Sequence, residues 1–172
     1  MQVSVYDITA AQFPRSLQAL KSILLKSKSF ADAKKVDMSV LLNSRLAPDQ
    51  FPLAKQIQIA CDNAKFICSR LSGATPPKHA DDETTFDEFI QRIDNTIAFI
   101  KTIKAEQFSD YEAKEVRFAW NPNAYLSGKV YLTQYGIPNF YFHLTTAYAI
   151  LRHNGVDLGK GDFLADVEWI SN

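Results

Sequence analysis

The stretch YGIPNFYFHLTTAYAILRHNGV, residues 135–156, carries the clearest helical pattern of the chain and two of its three histidines. Its apolar residues recur at steps of three and four positions, which is the period of one buried face of an α-helix. Asn139 is a suitable N-cap, and Asn154-Gly155 is a suitable stop. The stretch therefore predicts a long, largely buried helix with His143 one turn beyond its cap.

Three further segments have the same helical spacing of apolar residues: 5–26, 51–71 and 86–103. In the last of them Thr85 and Glu88 have the spacing of a capping box. Four long helices predict an all-α fold, a four-helix bundle. No repeat, low-complexity run or linker divides the chain, so residues 1–172 are expected to form a single helical-bundle domain.

The segments between these helices are predicted from their turn and breaker residues. They comprise a connection at 27–33, a short helical element near 40–42, a solvated loop at 73–84, and a minor β-hairpin before the last helix. The hairpin pairs residues 115–120 with 125–129 around a turn at Asn121-Pro122-Asn123. Apolar residues at 163–170 are expected to hold the C-terminal tail against the bundle.

Charge and hydropathy exclude several functional classes. Nineteen Lys and Arg balance nineteen Asp and Glu, with no basic run, so no nucleic-acid partner is predicted. No window approaches the length of a membrane span, and the N-terminus does not resemble a secretion signal. Cys61 and Cys68 lie about 10 Å apart along a predicted helix, too far for a disulfide. They predict buried thiols in a reducing, cytoplasmic setting.

Several segments together resemble the DinB-like (YfiT-like) superfamily of four-helix bundles. They are NFYFHLTTAYAILRHNGV at 139–156, RLAPDQFPLAKQIQIACDNAK at 45–65, the start ETTF at 83–86, and PNFYFH at 138–143. They are spread over nearly the whole chain, in the order of the superfamily's branch known as domain of unknown function nineteen ninety-three. The resemblance implies a DinB-like bundle with a long connection between its second and third long helices.

The resemblance also implies where a metal would bind. In metal-binding members, three histidines hold a divalent metal: an i, i+4 pair on the last helix and one residue on the second long helix. His143 matches the second histidine of the pair, and Asn139 stands at the first. The matching region of the second helix holds Gln58 and Asp62. Two of the three ligands are therefore missing, and His143 is the one metal ligand that the resemblance retains.

These residues predict a ligand pocket around His143, formed with Asp62, Gln58, Asn139 and Tyr141. The alternative is a core histidine that hydrogen-bonds to Asp62, Gln58 or Tyr141 and has no site role. The residues predict no particular catalytic group.

The remaining histidines are poorer candidates. His79 falls in the predicted acidic loop, a setting too flexible for a ligand, and His153 suits the negative end of a helix dipole.

Three functions follow from the sequence. The first is small-molecule binding around His143. The second is a non-catalytic homodimer whose aromatic helix faces form an interface. The third, implied by the resemblance, is a metal-dependent thiol transferase or hydrolase with an altered ligand shell, because some relatives with all three histidines transfer low-molecular-weight thiols. Phosphate loops, zinc cysteine pairs and a Ser-His-Asp pattern are all absent from the sequence, which disfavours the common enzyme classes.

Overall fold

A computed structural model describes residues 3–165 and 167–170. The helices are α1 (Gln12–Lys34), α2 (Met38–Leu42), α3 (Leu53–Ser72), α4 (Phe86–Ile100), α5 (Gly128–Val130), α6 (Ile137–His153) and α7 (Lys160–Leu164). Two antiparallel strands, β1 (Glu115–Phe118) and β2 (Asn121–Ser127), form the hairpin. Helices α1, α3, α4 and α6 form the bundle. The predicted all-α bundle with a minor β-hairpin is therefore confirmed.

Helix α3 is the centre of the core and packs against both α4 and α6. Residues at three- and four-residue steps along it, including Leu53, Ile57 and Ala64, are fully buried. On the neighbouring helices the rings of Phe13 and Phe140 meet at 4.5 Å between centroids. Because α3 contacts helices on two sides, polar side chains on its flanks are directed into helix–helix seams.

The predicted connection at 27–33 is wrong, since α1 continues through it to Lys34. Ser27 and Ala31 are buried on the helix face, and the Ser27 hydroxyl donates to the Leu24 carbonyl at 2.7 Å. The other polar residues of this segment, Lys28, Ser29 and Asp32, lie toward the outer face and obscure the helical period. Lys35, with a left-handed φ of 57°, ends the helix.

Several helix ends rest on local chemistry, and the capping box predicted at Thr85 and Glu88 is confirmed. Thr85 caps α4, accepting from the Glu88 amide while the Glu88 carboxylate accepts from the Thr85 amide at 2.8 Å. Asp37 caps the short α2 by accepting from the Ser39 amide at 2.8 Å. Gly73, with φ of 83°, ends α3 in the conformation that glycine adopts most easily.

The turn of the hairpin differs from its prediction. Phe118 pairs with Asn121, so the chain reverses at Ala119-Trp120, and Asn121 already belongs to β2. The register is irregular between Arg117 and Phe118. A two-stranded sheet leaves each strand one unpaired edge, which is where a proline such as Pro122 is tolerated.

The last helix begins earlier than its predicted cap. The chain is helical from Gly128, through a π-helical turn at Tyr131–Gly136, into α6. Asn139 is therefore inside the helix, and its side chain is not a cap. A Cβ at Gly136 would lie 2.9 Å from Cγ1 of Ile67, so glycine here permits close contact between this turn and α3.

The C-terminal tail packs only in part. The Phe163 ring meets Tyr148 at 5.9 Å, but Trp169 and Ile170 are 87% and 95% exposed. The expectation that the last apolar residues hold the tail is therefore wrong for these two. Within residues 3–165 and 167–170, no helix has the length and apolar character required to cross a membrane.

Candidate binding site between α3 and α6

Two polar pairs line the seam between α3 and α6. On α6, Asn139 and His143 are one turn apart and face α3, as expected for an i, i+4 pair. The His143 Nδ1 atom lies 2.6 Å from Oε1 of Gln56, and Asn139 Nδ2 lies 3.1 Å from Oδ1 of Asn63. The earlier residue of one helix meets the later residue of the other, so the helices run antiparallel. We call these four residues the polar seam.

A chain of hydrogen bonds fixes the tautomer of His143. The carbonyl oxygen of Phe51 can only accept, and it accepts from Gln56 Nε2 at 2.9 Å. This contact orients the Gln56 amide so that its oxygen faces the imidazole. Because an amide oxygen also only accepts, His143 Nδ1 carries the proton. The lone pair of the neutral ring is therefore on Nε2.

The surroundings of His143 keep its ring neutral. Its side chain is 8% exposed, and burial lowers the pKa from an ordinary value of 6.5 to about 4. At pH 7 the ring therefore offers a lone pair at Nε2. Such a nitrogen can accept a hydrogen bond from a bound molecule or act as a weak general base.

Asn63 gives the polar seam its donor. Its Oδ1 accepts from Asn139, which directs its own Nδ2 away from that contact. This Nδ2 is buried and has no hydrogen-bond partner among the described residues. An unsatisfied buried amide is unfavourable by roughly 1 to 3 kcal/mol. The seam thus combines one unsatisfied donor with one imidazole acceptor.

Two predicted pocket residues lie elsewhere on α3. Gln58 donates from Nε2 to Glu83 at 2.8 Å, and Oδ1 of Asp62 lies 2.8 Å from both Lys65 Nζ and Arg92 Nη2. These contacts face α4 and the connection between α3 and α4. The contacts of Gln58 and Asp62 therefore do not include His143 or Asn139.

Asp62 belongs to an ion cluster centred on Arg92, whose side chain is 1% exposed. One Arg92 nitrogen, Nη1, lies 2.7 Å from carboxylate oxygens of both Asp81 and Glu83. Burial alone would raise the pKa of both carboxyls, but hydrogen bonds from Arg92 and from Lys55 or Gln58 lower it. The cluster ties the 73–85 connection to α3 and α4. The expectation of a fully solvated loop is therefore wrong.

Tyr141 is half-buried, and its ring packs edge-on against Phe140 at 5.0 Å. Its position on α6 turns it away from the Asn139–His143 face. No contact among the described residues therefore supports the predicted role of Tyr141 in a pocket.

The side chains of the polar seam do not fit as ligands of a divalent metal of the kind found in metal-binding members of the superfamily. They comprise one imidazole and three neutral amides, of which Gln56 already occupies His143 Nδ1. Transition metals in proteins prefer several imidazole, thiolate or carboxylate ligands. Nowhere among residues 3–165 and 167–170 do three or more His, Cys, Asp or Glu side chains form a metal-holding group.

Gln56 and Asn63 are the site residues that the sequence interpretation missed. They are seven positions apart, so their side chains share one face of α3. The turn of the helix places Gln58 and Asp62 on another face. Matching a seven-residue polar spacing on one helix to the i, i+4 pair on the other would have indicated them.

The cysteines are unsuited to nucleophilic catalysis. Both Cys61 and Cys68 are free and buried, as predicted. Burial raises the pKa of each thiol to about 12, so the reactive thiolate is scarce at neutral pH.

The bundle, with its long connection between the second and third long helices and an i, i+4 pair facing the second, defines a DinB-like protein. The chain belongs to the family described as Domain of unknown function (DUF1993), whose sequence model matches residues 5–164. It is similar to a crystal structure of a DinB family member protein from Shewanella denitrificans. That similarity has 45% identity and a TM-score of 0.94, covering 98% of this chain and 96% of the other. No curated protein matches the chain.

Proposed function

We propose that this protein binds a small polar molecule at the polar seam without a metal. The observation that carries the proposal is the hydrogen-bond chain from Phe51 through Gln56, which holds His143 with its lone pair on Nε2. A tautomer held in this way is prearranged to accept a hydrogen bond from a ligand, and prearranged groups bind with a smaller entropic penalty. The unsatisfied Asn63 amide supplies the complementary donor.

The spacing of these two groups suggests the size of the ligand. Asn139 and His143 are about 6 Å apart along α6, and Gln56 and Asn63 about 10 Å along α3. A small molecule about 6 to 10 Å long, with an N–H or O–H for His143 Nε2 at one end and a carbonyl for Asn63 Nδ2 at the other, fits the spacing of these positions along the two helices. Small amides have both groups, so N-acetylglycinamide is a suitable first probe.

The exposed ring of Phe142, next to His143 in the chain, gives the site an apolar border. It is 58% exposed and meets the imidazole edge-on at 5.1 Å between centroids. Phe51, whose carbonyl anchors Gln56, is 57% exposed. Ligand sites commonly combine a few directed polar groups with apolar walls of this type.

The proposal is tested by titrating the protein with N-acetylglycinamide and related small amides while recording nitrogen NMR spectra of the imidazoles. We expect a saturable shift of the His143 Nε2 resonance, and affinity at least tenfold weaker in His143→Phe and in Asn63→Leu. His153→Ala changes an exposed histidine at the end of the same helix and is the matched control. If no small amide shifts His143 Nε2 saturably, the proposal is wrong.

Metal content is measured on the same preparations, purified without a histidine tag or chelating resin. We expect no stoichiometric metal in the wild-type protein and the same result for His143→Ala. Stoichiometric metal that is lost in His143→Ala would overturn the metal-independent proposal and favour the altered metal shell that the sequence left open.

The homodimer is the second candidate, and the exposed Phe51 and Phe142 rings favour it. If these rings form an interface, sedimentation equilibrium will give a dimer for the wild-type protein and a monomer for Phe142→Ser. Leu25→Ser is the control, because Leu25 is a 47% exposed residue on α1. A monomer at all concentrations would exclude this candidate.

A further inference from the structure

A second candidate site, apart from the polar seam, lies under the connection between α3 and α4. The connection carries His79, whose side chain is only 9% exposed although the segment has no helix or strand at that position. The ring is packed next to Lys65 of α3, which is itself 2% exposed. The imidazole and a buried ammonium therefore form a polar pair inside a region that the sequence predicts as solvated.

The contacts of His79 determine which ring nitrogen carries the proton. Lys65 Nζ lies 3.1 Å from His79 Nδ1 and 2.8 Å from Oδ1 of Asp62. An ammonium only donates hydrogen bonds, so Nδ1 accepts and the proton is on Nε2. Burial, with the nearby Lys65 and Arg92 charges adding to it, lowers the pKa of His79 and favours this neutral ring.

The Nε2–H group of His79 is an unsatisfied donor. This nitrogen is buried and has no hydrogen-bond partner within the described part of the chain. The two nitrogens of an imidazole point in divergent directions, so with Nδ1 on Lys65 Nζ, Nε2 is directed away from that ammonium. A buried donor without a partner is unfavourable, and such a group requires an acceptor from a bound molecule or an ordered water.

A cavity of about 450 Å³, lined by His79, lies on the side of the connection that faces α4. Pro76, Pro77 and Phe99 give it apolar walls, while Lys78 and Asn95 add polar groups. None of its described lining residues is acidic. A neighbouring cavity of about 560 Å³ on the α3 side also includes His79, but there Asp62 and Asp81 offset the charges of Lys65 and Lys78, so the cavity facing α4 suits an anion better.

We propose that the cavity facing α4 binds a small organic carboxylate. One carboxylate oxygen accepts from His79 Nε2–H, the exposed Lys78 ammonium provides the countercharge, and the apolar body of the ligand lies against Phe99 and the two prolines. Because Nε2 itself is buried, this contact requires a slight shift of the connection. The shift involves the Pro76–His79 part of the connection, which precedes the residues that Arg92 holds, Asp81 and Glu83, and which has no helix or strand to disrupt.

The charges around the site favour a monoanion over a phosphate dianion. One neutral imidazole N–H and one ammonium face the cavity, and the carboxylates of the ion cluster lie close behind His79, with Asp62 Oδ1 at 3.7 Å from Nδ1. A dianion would need further cations to offset its desolvation. A flat aromatic carboxylate suits the Phe99 and proline walls, so benzoate is the probe.

The test is a benzoate titration, with the ring nitrogens of the chain's three histidines followed by NMR. We expect a saturable shift at His79 Nε2 and no saturable shift at His153, with binding at least tenfold weaker in His79→Leu and weakened in Lys78→Ala. His79→Gln, which keeps an N–H donor, should recover part of the affinity. Benzamide, which has the same shape without the charge, should bind at least fivefold more weakly than benzoate.

Several results would overturn the carboxylate site. They are no saturable shift at His79, equal binding by His79→Leu, and equal binding of benzamide and benzoate. Lys78→Ala alters only an exposed residue, so its result remains informative even if His79→Leu does not fold. Binding at the polar seam is observed separately, at the His143 resonances, so a small amide that binds there does not alter the result at His79.

Discussion

At the scale of single residues, the decisive fact is that the structure assigns opposite tautomers to two buried histidines. His143 donates from Nδ1 to an amide oxygen, whereas His79 accepts at Nδ1 from an ammonium. Each assignment follows from a partner that can only accept or only donate. The Nε2 atom that remains for a ligand therefore differs between the two rings. Nε2 of His143 has a lone pair, and Nε2 of His79 has an N–H.

The first prediction concerns these tautomers. In two-bond nitrogen–proton NMR spectra at pH 7, we expect His143 as the Nδ1–H form and His79 as the Nε2–H form. On acidification, His143 should titrate near pH 4, where burial places its pKa. In Gln56→Leu, which lacks the amide oxygen that accepts from Nδ1, we expect both neutral tautomers of His143 to be populated. An Nε2–H form of His143 in the wild-type protein would contradict the assignment.

At the scale of elements, the ion cluster around Arg92 holds the α3–α4 connection in place. We predict that Arg92→Met lowers the free energy of unfolding by about 3 kcal/mol, because it leaves Asp62, Asp81 and Glu83 near one another without their shared cation. Urea unfolding followed by circular dichroism measures the change.

The matched control for Arg92 is Lys21→Met. Lys21 pairs with Asp94 at 2.7 Å between α1 and α4, but the two side chains are 22% and 41% exposed. Ion pairs with this exposure contribute at most about 1 kcal/mol. An equal decrease in the free energy of unfolding in the two variants would show that the buried cluster stabilises the protein no more than an exposed ion pair does.

The close approach of the π-helical turn to α3 gives a further prediction. Gly136→Ala would place a Cβ 2.9 Å from Ile67 Cγ1, so we expect a loss of about 1 to 3 kcal/mol from forced repacking. Gly161→Ala is the control in α7, because a Cβ there meets nothing within 4 Å. Alanine favours helix over glycine by up to about 1 kcal/mol, so the control should be neutral or slightly stabilised. Thermal unfolding of both variants measures the difference.

At the scale of the whole molecule, we predict that stability falls with acid in two stages. The pKa of His143 is about 4 in the folded protein and 6.5 ordinarily, so the unfolded chain takes up a proton first. Stability is therefore lost as pH falls from about 6.5 to 4, by on the order of 3 kcal/mol.

The second stage comes from the ion cluster. Asp81 and Glu83 have pKa values lowered from 3.8 and 4.5, so their contribution is present above these values and is lost as the pH falls further. Urea unfolding at a series of pH values should show a smaller upper stage in His143→Gln, with the part due to His79 remaining, and a smaller lower stage in Arg92→Met, with the part due to carboxyls such as Glu88 remaining. A wild-type profile that is flat between pH 6.5 and 4 would contradict the buried neutral state of His143.

The amino-acid sequence by itself determined the four long helices, because apolar spacing and caps are local properties. The Thr85 and Glu88 box could be identified without any tertiary information, and so could the stop at Asn154-Gly155. Local chemistry was misleading where tertiary contacts dominated. Asn139 has the chemistry of a cap, yet the helix continues through it because Gly136 lets the preceding turn pack against α3.

Only the tertiary structure decided which polar side chains meet. All the polar residues of α3 were visible in the sequence, but periodicity does not give the rotation of one helix against another. That rotation, set by the packing of both helices, directs Gln56 and Asn63 toward α6 and turns Gln58 and Asp62 toward Arg92. The burial of His79 was hidden for the same reason, since its partners lie on α3 and α4 rather than beside it in the chain.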